Sequence, residues 1–383
     1  MNQSIENRLT DEQQLLVSSV EQIAEQEFTD QAFTWQGEHP WENIETLAEH
    51  GFIGVNFDEK YGGGGMTEYE AVLLIEALSQ YCPDTADVVY SLHLVGPLSV
   101  HELGSESVKE EYLPRVTSGD TRIGIAISEP EAGSDAQSMT TAAEPEGDGY
   151  VLSGEKTWLS GMSDSSAVVL WAQFPDGMGS LLLDLEADGV RCGEDFTNMA
   201  GHTQTQLFLD DVYVPDEHVL VHGSQFKEQL RALNWERVGS STLATGIATC
   251  AFSKAYEYSR DRTQFDQPIG DFQGIGWKLA DMLKRIEASR ALTHSAARDA
   301  VREGRAPTRL SASIAKLHSS EMVEAVVSEA LQIHGANGYM KGHELEYLYR
   351  LARGRRIAAG TDEIQKEGIV AELERGSHPA TRS

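Results

Sequence analysis

Ser128-Glu129-Pro130-Glu131-Ala132-Gly133-Ser134-Asp135, followed by Gly154-Glu155-Lys156-Thr157-Trp158-Leu159-Ser160-Gly161, lies near the centre of the 383-residue chain. A turn carrying Pro and Gly can present backbone N–H groups and the Ser128 and Ser134 hydroxyls to an anion or a ring edge, and Trp158 offers a flat apolar wall. Taken alone, the pattern is as readily an ordinary turn with a core Trp. Around it, from about Arg122 to Glu217, run short β-branched and aromatic segments separated by turn residues: IGIAIS, GYVLSG, AVVLWAQF, GSLLLDL and TQLFLDDVYVP. Alternation in Gln206-Leu207-Phe208-Leu209 and Val212-Tyr213-Val214 predicts an antiparallel β unit.

On both sides of this unit the period changes to that of helices. EQQLLVSSVEQIAEQEF and TEYEAVLLIEALSQY precede it, with the run Gly62-Gly63-Gly64-Gly65 between them read as a flexible connector. No Lys-Ser/Thr pair follows those glycines, so they are no phosphate loop. Beyond it a helix is expected from roughly Gln229 to Arg260, rich in Ala, Ser, Thr and Gly so that a neighbour can approach closely, and further long helices follow. The fold class is therefore α+β, with residues 1–121 helical, 122–225 β and 226–383 a helical bundle. The tail GSHPATRS reads as frayed.

Acids outnumber bases 61 to 30, giving a formal charge of −31, which argues against nucleic-acid binding. The same excess suggests a surface kept hydrated in high salt, and hence a halophilic source. Cys82, Cys192 and Cys250 lie far apart without a Cys/His cluster, so neither a disulfide framework nor a metal site is expected. No basic segment leads into an apolar run at the start, and no stretch is apolar enough for a membrane span; a cytoplasmic location is expected.

SEPEAGSD, GEKTWLSG, RTQFDQPIGDFQ (262–273), LQIHGANGY (331–339) and AGTDEIQ (359–365) occur together in the order and spacing of the acyl-CoA dehydrogenase family, which the chain resembles over nearly its whole length. The resemblance implies an N-terminal α-helical domain, a middle antiparallel β-barrel domain and a C-terminal four-helix bundle. It also implies a homotetramer, a dimer of dimers, that binds FAD and an acyl-CoA and passes electrons to an electron-transferring flavoprotein. By matching positions, Ser128 and Ser160 resemble the groups that hydrogen-bond the flavin ring, Trp158 packs against it, and Ser134 stands beside the pyrophosphate and the CoA arm. Arg262, Gln264, Phe265, Phe272 and Gln273, with Gln332 and Gly335, resemble the set that grips the adenine and pyrophosphate of an FAD bound mainly by a neighbouring subunit. Thr361 and Glu363 resemble the last cofactor contacts. Ala336 stands where Gly is common.

Most of the family carries a catalytic Glu immediately before the final Gly-Thr, where this chain has Ala359 followed by Gly360 and Thr361. Ala cannot accept a proton. A minority branch, typified by isovaleryl-CoA and long-chain acyl-CoA dehydrogenases, carries the Glu at the start of the long C-terminal-domain helix in a Glu-Arg pair. Asn234-Trp235-Glu236-Arg237 occupies that place, making Glu236 the candidate base. The competing reading of Glu236 is a helix-start carboxylate paired with Arg237 or favoured by the macrodipole. The resemblance places Asn234, Arg237, Ala359 and Gly360 at the substrate, the Ala359 backbone N–H holding the thioester oxygen. The expected reaction is α,β-desaturation of an acyl-CoA thioester. Reduction of an enoyl-CoA, desulfination, oxidation by O₂, or a non-catalytic acyl-CoA-binding subunit on the same scaffold are the alternatives.

Overall fold

The computed structural model describes residues 9–376 and residue 378; the reading of the tail as frayed falls almost wholly outside them. Among the described residues the chain separates into two compact units, one of residues 37–71 and 88–236 and the other of the residues up to 36, 72–87 and those from 237 onward.

The first unit is built on an eight-stranded sheet: β1 (Arg122–Ala126), β2 (Ala142–Glu146), β3 (Gly149–Ser160), β4 (Ser165–Phe174), β5 (Gly177–Asp184), β6 (Val190–Thr197), β7 (Thr203–Pro215) and β8 (Val219–Val221). Its spatial order is β6-β7-β3-β2-β4-β5-β8, with β1 beside β4. The expected antiparallel pattern holds for β2–β3, β3–β7, β6–β7, β4–β5 and β5–β8 but not throughout, because β1 and β2 each pair β4 in parallel. After β1 the chain makes the β2–β3 hairpin before returning as β4, and that excursion is the crossover a parallel pair requires. Leu152, Val168, Leu170, Leu181, Leu183, Leu207 and Val212 alternate inward and are fully buried in one apolar cluster.

The same unit contains α2 (Trp41–Glu49), α5 (Gly96–Leu103) and α6 (Glu106–Thr117). The run of four glycines is no flexible connector. Gly64 N–H donates to Gly54 O at 3.0 Å, Gly65 N–H to Phe57 O at 2.8 Å and Met66 N–H to Val55 O at 2.9 Å. A Cβ on Gly63 would meet Phe57 O at 2.3 Å, so glycine is needed there for backbone to lie on backbone.

The second unit is helical: α1 (Asp11–Ile23), α8 (Gln273–Arg302), α9 (Arg309–His334), α10 (Glu344–Gly354) and α11 (Asp362–Glu374), with parts of α3 (Glu68–Ser79), α4 (Pro83–Leu94) and α7 (Gln229–Asp261). The small-residue run of α7 is buried, and an added Cβ at Gly246 would stand 2.1 Å from Ser79 Cβ, so α3 approaches as closely as the composition suggested. Its hydroxyls are satisfied by carbonyls four residues back: Ser241 by Arg237, Thr242 by Val238, Thr245 by Ser241 and Thr249 by Thr245. In the same core, Glu76, fully buried, accepts from Arg290 Nε at 2.5 Å and pairs with His294 Nε2 at 2.6 Å.

Candidate active site

In the sheet unit, β1 runs directly into the turn at Ser128. Glu129 and Ala132 exchange backbone hydrogen bonds of 2.9 and 3.2 Å, closing it. Thr157 N–H donates to Ser128 O at 2.9 Å, which ties the turn to β3 beside Trp158. Register against β7 shifts between Lys156 and Leu159, inserting one extra residue into β3. At that bulge Trp158 takes φ +63° and its side chain is turned out, 55% exposed, with Phe196 5.6 Å away between ring centroids. Bulges re-aim side chains in this way beside functional sites. Ser160 is exposed two residues further along β3, and Ser128 is half-buried. The structure thus brings Ser128, Trp158 and Ser160 to one region of the sheet, and the reading of Trp158 as a core residue is overturned by its exposure. Ser134 stands exposed further along the turn.

Glu236 sits on α7 seven residues beyond its first residue, Gln229, about two turns in rather than at the helix start. This corrects the expected position, and it removes the macrodipole explanation for the carboxylate, which fades within the first turn. The beginning of α7 is fixed by Gln229, 1% exposed, which accepts from Ser180 Oγ at 2.6 Å and donates to Ser99 Oγ at 3.2 Å. Tyr90 Oη donates to the Glu236 carbonyl at 3.2 Å. Asn234, Trp235 and Glu236 are all buried, Glu236 at 9% exposure, and Arg237 is half-buried.

In the helical unit, Thr263-Gln264 and Gln267-Pro268 pair around a two-residue turn whose central residues, Phe265 and Asp266, both have positive φ, 53° and 64°. Hairpin turns of this kind normally use Asn and Gly. Phe265 is thereby held 89% exposed, its ring 6.0 Å from that of Phe272 between centroids. Behind the hairpin, Arg262, Gln264 and Gly335 line one cleft with Tyr258, His334 and Asn337. Tyr258 and His334 stack at 4.1 Å, and Asn337 Nδ2 donates to Tyr258 Oη at 3.0 Å. Neither Tyr258 nor His334 is among the residues that the sequence motifs single out. The signal for the pair is the conjunction of an α9 C-terminal His with an aromatic residue four positions before Arg262. Gly335 has φ 60° and ψ −137°, a conformation open to glycine alone, which makes it the end of α9. Gln332 and Gln273 are exposed at the end of α9 and the start of α8.

The final motif forms a strained turn into α11. Ala359 has φ 56° and Gly360 φ 85°; Gln365, fully buried, donates through Nε2 to both their carbonyls, at 3.2 and 3.0 Å. Thr361 caps α11, its Oγ1 accepting from Ile364 N–H at 3.4 Å, and Glu363 is exposed in the first turn. Asp362 is buried and accepts from Ser320 Oγ and Arg356 Nε, each at 2.6 Å. Among the described residues no group of His, Cys, Asp or Glu is arranged to hold a metal ion, and no helix is long and apolar enough to cross a membrane.

Three family models match the chain: the acyl-CoA dehydrogenase N-terminal domain over residues 10–120, the middle domain over 124–212 and the C-terminal domain over 226–374. The chain is 34% identical to an acryloyl-CoA reductase (NADH) of Anaerotignum propionicum, over 95% of each sequence. It is 30% identical to a subunit of a caffeyl-CoA reductase–Etf complex of Acetobacterium woodii, over 88% of this chain and 90% of that one. The solved structure of butyryl-CoA dehydrogenase from Megasphaera elsdenii superposes with a TM-score of 0.89 at 30% identity, covering 96% of this chain and 99% of that one. With all three models matched in order and relatives aligned nearly end to end, the chain belongs to the acyl-CoA dehydrogenase family.

Proposed function

We propose that this flavoprotein desaturates an acyl-CoA thioester between its α and β carbons, with Glu236 as the base. The observation that carries the reading is the buried carboxylate of Glu236, two turns inside α7, in a chain whose final motif offers Ala359 in place of a Glu. Residues 1–121, 122–225 and 226–383 form its three domains on this reading.

The residues present fit FAD, the cofactor of the family. An exposed Trp on a bulge beside Ser128 and Ser160 suits the edge and face of a flavin ring. An open cleft with an Arg and a stacked Tyr-His wall suits the pyrophosphate and adenine of an FAD bound mainly by a neighbouring subunit. Ser134, Gln264, Phe265, Phe272, Gln273, Gln332, Thr361 and Glu363 complete the proposed set. Bound there, FAD supplies the exchange of a hydride with the β carbon.

The chain's own work is orientation and proton transfer. Glu236 Oε takes the α proton, while Asn234, Arg237 and Ser134 hold the CoA thioester. The backbone N–H of Ala359 stabilises the charge that develops on the thioester oxygen, and the hold of Gln365 on the Ala359 and Gly360 carbonyls keeps that turn in place. Purified protein should be yellow, and a saturated acyl-CoA added without oxygen should bleach it; a colourless protein unable to take up FAD, or a flavin indifferent to every acyl-CoA, contradicts the reading. The relative named as an acryloyl-CoA reductase favours a second reading, reduction of an enoyl-CoA with the same residues returning the proton. Oxidised flavin unaffected by saturated thioesters, with reduced flavin reoxidised by the enoyl form, selects it.

Arg262→Ala should weaken FAD binding by about tenfold to a hundredfold, the loss of one charge-assisted phosphate contact. Titration of the apoprotein with FAD checks this.

An electron-transferring flavoprotein is the proposed electron partner, as the Etf complex named for one relative suggests. Exposed Phe265, Trp277, Tyr339 and Met340 support assembly into a homotetramer, and fatty-acid oxidation in the cytoplasm is the proposed setting. For a halophilic source, the net charge of −31 gives a direct expectation: the denaturation midpoint rises as KCl is raised toward ~1 M, where the screening length falls to about 3 Å. Greatest stability in dilute buffer contradicts that assignment.

A further inference from the structure

Beneath Ser128 and Trp158 lies a buried ion pair that proton abstraction does not use. Lys156 Nζ, with its side chain fully buried, donates to Glu129 Oε1 at 2.9 Å and to Ile127 O at 3.1 Å. Glu129 is 5% exposed, and its carboxylate is saturated with donors: Thr141 N–H at 2.9 Å on Oε1, Thr140 N–H at 2.6 Å and Thr140 Oγ1 at 2.9 Å on Oε2. Burial alone would raise its pKa, but the Lys156 ammonium and these N–H groups bring it down to about 2.

The pair therefore joins two segments. Through Ile127 and Glu129 it grips both neighbours of Ser128, and through Lys156 it grips the last residue of β3 in register before the bulge that turns Trp158 outward at φ +63°. Apolar side chains of similar volume usually stabilise a core as well as a buried ion pair does, so thermodynamic stability is a weak reason for this one. A backbone in a sparsely populated conformation persists where its surroundings over-determine it.

We propose that Lys156 and Glu129 are positioning residues for the flavin, fixing the Ser128 turn and the Trp158 bulge in the one geometry that receives the isoalloxazine ring. This rests on the reading of Ser128 and Trp158 as flavin contacts.

The test uses the full chain carrying Lys156→Met with Glu129→Gln, in which Gln keeps an acceptor for Thr141 and Met fills the lysine volume. Three quantities are read: the FAD dissociation constant of the apoprotein, the visible flavin band positions at saturating FAD, and thermal unfolding of the apoprotein. The expected result is binding weakened about tenfold and bands moved toward those of free FAD, with apoprotein unfolding close to wild type. Wild-type affinity and wild-type bands overturn the proposal, as does a loss of affinity with the bands unmoved.

Thr140→Val removes only one hydroxyl donor, on an exposed residue, and decides the matter if the double variant fails to fold. Weakened FAD binding with shifted bands and unchanged apoprotein unfolding supports the proposal; unchanged binding overturns it. Wild-type protein that takes up no FAD defeats the flavin reading itself, and the positioning role with it.

Discussion

Glu236→Gln lowers kcat by about 10³-fold, within the range of a lost general base, while FAD binding and KM change little. Gln has the shape of Glu and keeps one acceptor oxygen, so packing at this buried position is preserved and the ability to take a proton is not. Glu236→Asp shortens the reach by one methylene and should fall between the two. A sharper form combines Glu236→Gln with Ala359→Glu, which restores a carboxylate at the place where most of the family carries it. Ala359 already occupies φ 56°, so a second side chain with a Cβ adds little strain there. Partial recovery of kcat is expected in the double variant. A steady-state assay with an artificial electron acceptor checks all three.

Arg290→Met is the substitution expected to cost the fold most. It leaves the fully buried Glu76 carboxylate without its guanidinium partner and removes the donor to Thr249 Oγ1, a loss of about 3–5 kcal/mol when one member of a buried pair is deleted. Adding Glu76→Leu removes the uncompensated charge and should recover much of that loss. Burial would raise the Glu76 pKa, but Arg290 and His294 bring it down to about 2. A carboxyl held lower in the folded chain than in the unfolded one stabilises the fold above the unfolded value near ~4.3. That contribution fades as pH falls through the folded value of about 2. Urea midpoints should therefore fall between about pH 4 and pH 2 in wild type and show a flatter acid limb in the Glu76→Leu, Arg290→Met variant. Parallel acid limbs contradict this role for the triad.

These residues also mark what sequence could and could not convey. Alternation in Gln206-Leu207-Phe208-Leu209 and the small-residue run of α7 are local patterns, and each appears as read: β7 buries Leu207 and Leu209, and Gly246 takes Ser79 at close range. The parallel seat of β1 against β4 is a long-range choice that no local period encodes. Gly62 to Gly65 read as a connector because their partners, Gly54 to Phe57, become visible only once the loop closes on itself. Phe265 and Asp266 adopt positive φ without the Asn-Gly signature, so the motif marked these residues as cofactor contacts while the turn itself was not legible. The Tyr258–His334 stack and the Lys156–Glu129 pair join residues whose individual types carry no message. Glu236 was legible as a candidate, and the helix read from Gln229 already set it two turns in; what sequence could not convey is how Gln229 is anchored, through bonds to Ser99 and Ser180, 130 and 49 positions away.

The central claim is that one carboxylate, Glu236, moves the α proton. Washout of the α protons of a saturated acyl-CoA into D₂O by the flavin-loaded enzyme reports that step independently of electron transfer to any acceptor. Exchange by the wild type and its disappearance in Glu236→Gln, with FAD still bound, is the predicted result. Exchange at the wild-type rate in Glu236→Gln would show that another group takes the proton.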